Sequence, residues 1–583
     1  MIHPIENTPR AARSGRLGHA MTIAALAAAL AACDRSQPVA PERAAPDAPS
    51  LTLNPACDPG LGGTTHLDSI LAPETWSRAN NPHRVYTSIH IEGAGVLTLQ
   101  PGVLVCFEYA GALRAHNGGR LVADGLDTAR IVLTATSPGF GWRGVRLSGS
   151  PASPSSLRNV RIEHTGGLEY ALSTYDYHAA VIDSAVIRQN QLGLSLWGRG
   201  TNIRRSRVDT VTVFSYPAVE LGTLITFEEN VIRGAAGIGL SVVGTHGISL
   251  LGGRVEGSGS IGLWVTTTGP GFVDTRPVRV VGGASYPARM VVSAFPRIYP
   301  ALSHQDSLLG NARDTLVVAG GILQAFAYPT QALPWHVTEI ITVRYYGILR
   351  AWPGASLAFD PHARINAVDG GRVVARGTAA APVLFTEANP GQGWSGMRFD
   401  GSPTLSSYLT NVRIEHVWYG PAVEAYASHP VVVDSAVFRQ NGAAAWLQAS
   451  NSRFSRSRVD TTFIDGPAVA LSGDGTTMES TLIRGSAGDG LMVGWPIPQV
   501  QSCEIRDSAG HGILLYDATD VHNCNLVDNG GVGIRNLGAA TADVENNWWG
   551  DAAGPTGTNG DGVSGALDYT PWRTTPYVLP YVP

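Results

Sequence analysis

Gly141 to Gly166 reads GWRGVRLSGSPASPSSLRNVRIEHTG, and Gly393 to Trp418 reads GWSGMRFDGSPTLSSYLTNVRIEHVW. Fifteen of these 26 positions are identical, so the chain carries one module twice, at an offset of about 252 residues. The match runs outward in both directions. Pro101-Gly102 answers Pro353-Gly354, and Gly118-Gly119-Arg120 answers Gly370-Gly371-Arg372. Downstream, Asp183-Ser184-Ala185-Val186 answers Asp434-Ser435-Ala436-Val437.

A finer period lies inside each copy. Apolar residues recur at Ile414, Phe438, Val459, Ile483, Ile505 and Leu526, about 22 residues apart, and at Ile162, Ile187, Val208 and Ile232 in the first copy. A second column follows small residues at Leu491, Ile513 and Ile534. The runs around these positions are too short for helices and are broken by Gly, Asn, Asp and Ser. Such a period predicts an all-β fold, a right-handed parallel β-helix with rungs of about 22 residues, internally duplicated. A single rung cannot bury its inward face; stacked rungs bury one another's.

The 583 residues include 41 basic and 46 acidic ones, a net charge of −5. Nucleic-acid binders usually carry a basic excess, so that class is not expected. Every basic residue is Arg, which excludes mechanisms that need a lysine. Arg10, Arg13 and Arg16 precede an apolar stretch from Ala20 to Ala32, too short to span a bilayer but of signal-peptide length. It ends in Leu30-Ala31-Ala32-Cys33, which resembles the lipobox of bacterial lipoproteins. That resemblance implies a signal peptide at 1–32, lipidation of Cys33, and export to the cell envelope with a lipid anchor in the membrane. Residues 33–56, rich in Pro and Ala, read as a disordered tether. The first β-helix module is expected at 57–332, and the second, with a C-terminal cap rung, at 333–583.

Several short motifs resemble the bacterial right-handed β-helix proteins of the pectate-lyase-like superfamily. They are Leu97–Phe107 and Leu349–Phe359 around Pro-Gly, and Pro382-Val383-Leu384-Phe385-Thr386 before Gly393-Trp394. Asn546-Asn547-Trp548-Trp549-Gly550 and Tyr569-Thr570-Pro571-Trp572 resemble that group's C-terminal rung. The resemblance implies the fold rather than an activity, because the fold hosts lyases, hydrolases, adhesins and binding modules. Pectate lyases of the group cluster several acids around calcium beside an Arg or Lys. Here Asp183 and Asp434 each stand as single acids near one Arg, a departure from that pattern.

Side chains of a strand alternate, so the residue after each apolar column faces outward. This gives a charged ladder of Glu163, Arg188, Asp209 and Arg233 in the first copy and Glu415, Arg439, Asp460 and Arg484 in the second. Two readings follow: a glycan-contacting groove repeated along the whole rod, or inter-rung ion pairs. Glu163-His164 and Glu415-His416 are adjacent in sequence and so are expected on opposite sides of the strand. Trp142, Trp394, Trp446 and Trp495 could seal rung corners or stack on sugars. Cys57 and Cys106 could pair in an oxidising compartment, while Cys503 and Cys524 read first as a stack of buried thiols and alternatively as a disulfide of demanding geometry. No His/Cys spacing matches a metal site, and no catalytic set or cofactor is expected; Asp551 and Asp561 could at most hold calcium. The functional expectation is a non-enzymatic, membrane-anchored protein that binds or displays surface polysaccharide or acts as an adhesive scaffold. The alternative is a carbohydrate-active enzyme, a polysaccharide lyase or hydrolase, working on an acidic polymer.

Overall fold

The computed structural model describes residues 53–266, 272–291, 293, 308–323, 326–328, 334–403, 405–426, 428–496 and 498–580. The expected signal peptide, Cys33 and the tether as far as residue 52 lie outside them. Among the described residues the only helical elements are short 3-10 turns such as Pro55–Cys57 and Gly554–Thr556. Everything else regular is a strand of two to five residues. Each strand pairs in parallel with the strand one turn earlier and one turn later, as the repeat requires. The result is a right-handed β-helix of about 19 turns spaced by about 24 residues.

The spacing is slightly longer than the 22 read from the late rungs, because early turns carry larger loops. Leu133 to Ile162 is a longer step than Ile187 to Val208, yet both pairs stack in register. Loop length varies at the corners while strand register stays fixed, because a one-residue slip would turn the apolar column outward.

That column fills the interior. Ile162, Ile187, Ile414, Phe438 and Val459 are all buried, as are Leu491, Ile513 and Ile534 of the second column. Asparagines join them at the corners. Asn441 accepts from the backbone N–H of Val417 at 2.9 Å and donates to the carbonyl of Ile414 at 2.8 Å. Asn190 does the same for Thr165 and Ile162 in the first copy. Each amide thus satisfies one donor and one acceptor that the bend removes from the ladder.

The first turn is closed by Cys57–Cys106, a disulfide in this structure. Beside it the half-turn before Cys57 already belongs to the fold. The backbone N–H of Asn54 donates to Thr136 at 2.9 Å, and buried Arg84 donates to the carbonyls of Cys57 and Asp58 at 2.7 and 2.6 Å. Cys503 and Cys524 are free and buried, and burial pushes the Cys503 thiol well up.

The two copies do not lie face above face. Val160–Glu163 belongs to a ten-stranded sheet that begins near Thr64–His66. Its sequence twin Val412–Glu415 belongs to a different sheet, of 19 strands, which runs through both copies. In the first copy that longer sheet holds strands such as Tyr170–Thr174 and Leu192–Leu196. At the junction Ala288–Val291 pairs with Leu316–Ala319, which pairs with Trp335–Val337. A three-sided helix keeps its faces aligned only if a repeat contains a whole number of turns. Here Ala288–Val291 pairs directly with Leu316–Ala319, the next described strand, and equivalent residues of the two copies fall on different sheets.

Candidate functional site

The charged ladder lies in the expected register. Glu163 stands opposite Arg188, Arg188 opposite Asp209, Glu415 opposite Arg439, and Asp460 opposite Arg484. The ladder does not repeat along one face, however, because the copies are rotated by one sheet. It is also largely self-neutralised. Glu163 is held by Arg188 at 2.8 Å and by Arg161 at 3.1 Å. Asp460 is held by Arg458 at 2.9 Å, by Arg484 at 2.5 Å and by Arg439 at 3.6 Å. Arg413 pairs with Glu415, Arg207 with Asp209, and Arg233 with Glu256. Half of these partners sit two residues earlier on the same strand, in a second outward column that the apolar repeat does not mark. Burial pushes the Asp460 carboxyl up, but hydrogen bonds from Arg458 and Arg484 outweigh it and hold the group below the usual carboxylate range.

Glu415 and His416 do not part as strict alternation implies. His416 has φ of 62°, so the chain turns there, and both residues line the same shallow groove with Arg439 and Asp460. His416 donates to the Gln440 side chain at 2.8 Å and receives the Thr386 hydroxyl at 3.2 Å. Glu387 accepts three backbone N–H groups, from Gly391, Gln392 and Gly393. Its carboxylate thereby shapes a loop, and Oε1 lies 3.6 Å from His416 Nδ1. Exposed Trp418 and Phe463 edge this groove, with ring centroids 6.2 Å apart. Gly393 has φ of +66°, and a Cβ there would meet the Trp418 ring at 2.3 Å. Trp142 and Trp394 are fully buried, stacked on Phe107 and Phe359, and donate to the carbonyls of Glu163 and Glu415. They seal corners. Trp495 is 72% exposed.

A second cavity, of about 360 Å³, opens on a nine-stranded sheet of the second copy. Arg350, Val374 and Tyr408 stack outward on three successive turns. Arg372 and Arg376 flank Val374 on its own strand, and Trp352 and Leu405 close the sides. The Arg376 guanidinium lies 4.9 Å from the centroid of the Tyr408 ring. Among the described residues no carboxylate lies within ion-pair distance of Arg350, Arg372 or Arg376, in contrast to the ladder arginines. The first copy carries Thr98, Gln100, Asp124 and Ser156 where the second carries Arg350, Trp352, Arg376 and Tyr408. Four substitutions therefore converge on a cationic, aromatic-walled pocket, and one of them removes an acid. The sequence reading missed it because these residues come from three turns and belong to no repeat. Comparing the two copies for differences, instead of identities, would have found them.

Asp551 and Asp561 use their carboxylates on the chain itself. Asp551 accepts from Ala553 and Asn559, and buried Asp561 accepts from Asn529 at 2.6 Å. Among the described residues, the group of His, Cys, Asp and Glu side chains close enough to share an ion is His90, Glu92 and His116. A family model described as the right-handed β-helix region matches residues 396–549. No curated protein matches the chain in sequence.

Proposed function

We propose that this β-helix is an exported, lipid-anchored envelope protein that holds an acidic polysaccharide in the Arg350–Arg376 pocket. The carrying observation is three guanidinium groups with no carboxylate partner among the described residues, gathered beside Trp352 and Tyr408. A guanidinium matches a uronate carboxylate in bidentate geometry, and an aromatic face takes the apolar side of a sugar ring. The ladder arginines are poorer candidates, since binding an external anion there means breaking ion pairs already made. Their role is to tie rungs together. The Cys33 motif supplies the anchor in this reading.

Retention of polygalacturonate and neutral glycans by immobilised protein tests the proposal. Acidic glycan should be retained at low salt and released as ionic strength rises, since exposed charge contacts are screened. Arg350→Ala with Arg376→Ala should abolish retention, Trp352→Ala should weaken it, and Arg439→Ala should leave it unchanged. Retention lost in Arg439→Ala but kept in the pocket double variant would transfer the site to the ladder. Calcium-dependent shortening of the polymer, with release of unsaturated ultraviolet-absorbing ends, would establish the lyase alternative instead.

A further inference from the structure

His90 and Glu92 flank the inward Ile91 at the end of the strand Ser88–Ile91, so both project outward. One turn later Ala115 stands opposite Ile91, which brings His116 over Glu92. His90 Nδ1 and His116 Nε2 are 2.9 Å apart, His116 Nε2 is 3.4 Å from the Glu92 carboxylate, and His90 Nδ1 is 4.0 Å from it. A tetrahedral ion bound at about 2.0–2.1 Å sets its ligand atoms about 3.3 Å apart. The observed separations bracket that value, and side-chain shifts of a few tenths of an ångström would equalise them. All three side chains are partly exposed, which leaves a path for an ion and an open side for a further ligand. Arg114 stands in register with His90, but its guanidinium is engaged 3.9 Å away by Glu169.

A hydrogen-bonded histidine pair could serve merely to join two turns. The second copy shows that the turns do not need it. The equivalent positions there are Thr342, Arg344 and Val368, and Arg344 instead pairs with Asp369 at 2.8 Å. The same rungs stack in both copies, so the imidazoles are an addition to the module.

We propose that His90, Glu92 and His116 form a binding site for a divalent transition-metal ion of the zinc class. Two imidazoles and one carboxylate suit zinc, cobalt or nickel rather than calcium or magnesium, which prefer all-oxygen shells. Three protein ligands leave the fourth position to water or to a donor from outside the chain.

Calorimetric titration of chelator-treated, full-length protein with Zn²⁺ tests this, with the cobalt absorption spectrum as a report on coordination. One equivalent should bind. His116→Val and His90→Thr borrow the second copy's residues, so they preserve the turn, and circular dichroism checks that they do. Each should weaken binding by at least about tenfold, as loss of a metal-supporting group does. His336→Ala, which removes an imidazole lying 2.7 Å from Asp360 elsewhere on the helix, should change nothing. Absence of stoichiometric uptake, or uptake undiminished in the folded double variant His90→Thr/His116→Val, would overturn the site.

Discussion

His178 and His429 occupy matching corners of the two copies, and both are fully buried. Ser155 Oγ accepts the Leu121 backbone N–H at 3.0 Å and hydrogen-bonds His178 Nε2 at 2.8 Å. His178 Nδ1 then donates to the Ser148 carbonyl at 2.9 Å. Ser407, Val373 and Asp400 repeat this arrangement around His429. Burial holds both imidazoles below their ordinary value of 6.5, which favours the neutral ring with its proton on Nδ1. A histidine depressed in the fold binds its proton first in the unfolded chain. Its stabilising contribution is complete above pH 6.5 and is lost as the pH falls from there toward the folded value. Each such group costs up to about 1.4 kcal/mol per pH unit in that window. Asp183, Asp434 and Asp460 are also depressed, where hydrogen bonds from arginines outweigh burial, but they act only below about pH 4. Urea midpoints should therefore fall between pH 7 and pH 5. His178→Gln and His429→Gln should lower stability at pH 7 yet shrink that fall. A midpoint flat across the window would mean that the buried rings take up protons in the fold.

The strand and its corner divide polar work unequally between inside and outside. Replacing Arg439 with Glu sets three acids in a row, yet Glu415 keeps Arg413 and Asp460 keeps Arg458 and Arg484. Exposed pairs are worth little, so the loss should be about 1 kcal/mol. Asn441→Ala removes one side chain but strands a buried N–H of Val417 and weakens the bonding of the Ile414 carbonyl. That should cost about 2–4 kcal/mol, because an unmade buried hydrogen bond carries its full desolvation penalty. Denaturant titration of both variants gives the comparison, and an Arg439→Glu loss equal to that of Asn441→Ala would contradict it. The outward ladder was legible in the sequence because strand alternation and the apolar period together fix which residue follows the core. The pairing partners Arg161, Arg207, Arg413 and Arg458 were not, although they recur between the copies, since the apolar period singles out only the outward residue that follows the core. His416 escaped the alternation rule for a local reason: a residue at positive φ reorients everything after it. The arginine pocket and the His90 cluster escaped because each assembles residues from successive turns, most of them at positions where the two copies differ.

Across the whole molecule, the duplication is a statement about sequence that the solenoid converts into a rotation. Identity between Val160–Glu163 and Val412–Glu415 says nothing about how the chain between them passes from turn to turn, and that decides which face each occupies. The β-helix and its duplication were readable from the period; the shift by one sheet was not, because it depends on Ala288–Val291 pairing with Leu316–Ala319, which no repeat marks. Its consequence is functional. A ligand following one sheet along the axis meets the ladder of one copy only, and the pocket lined by Arg350 and Arg376 lies on a sheet that carries neither second-copy ladder nor core repeat twin of Val412–Glu415. The junction can be tested directly. Arg289 stands opposite Val317 where Ala288–Val291 meets Leu316–Ala319. Adjacent parallel strands are about 4.8 Å apart, within the Cα range that a disulfide can bridge. The variant Arg289→Cys/Val317→Cys, made in a background with Cys503 and Cys524 replaced by Ala, should form a cross-link under mild oxidation, detected by mass spectrometry of a digest. Arg279→Cys/Val317→Cys should not, because Arg279 belongs to the ten-stranded sheet that carries the first ladder. Cross-linking of the second pair in preference to the first would mean that the copies stack face above face, and the rotation between them would have to be abandoned.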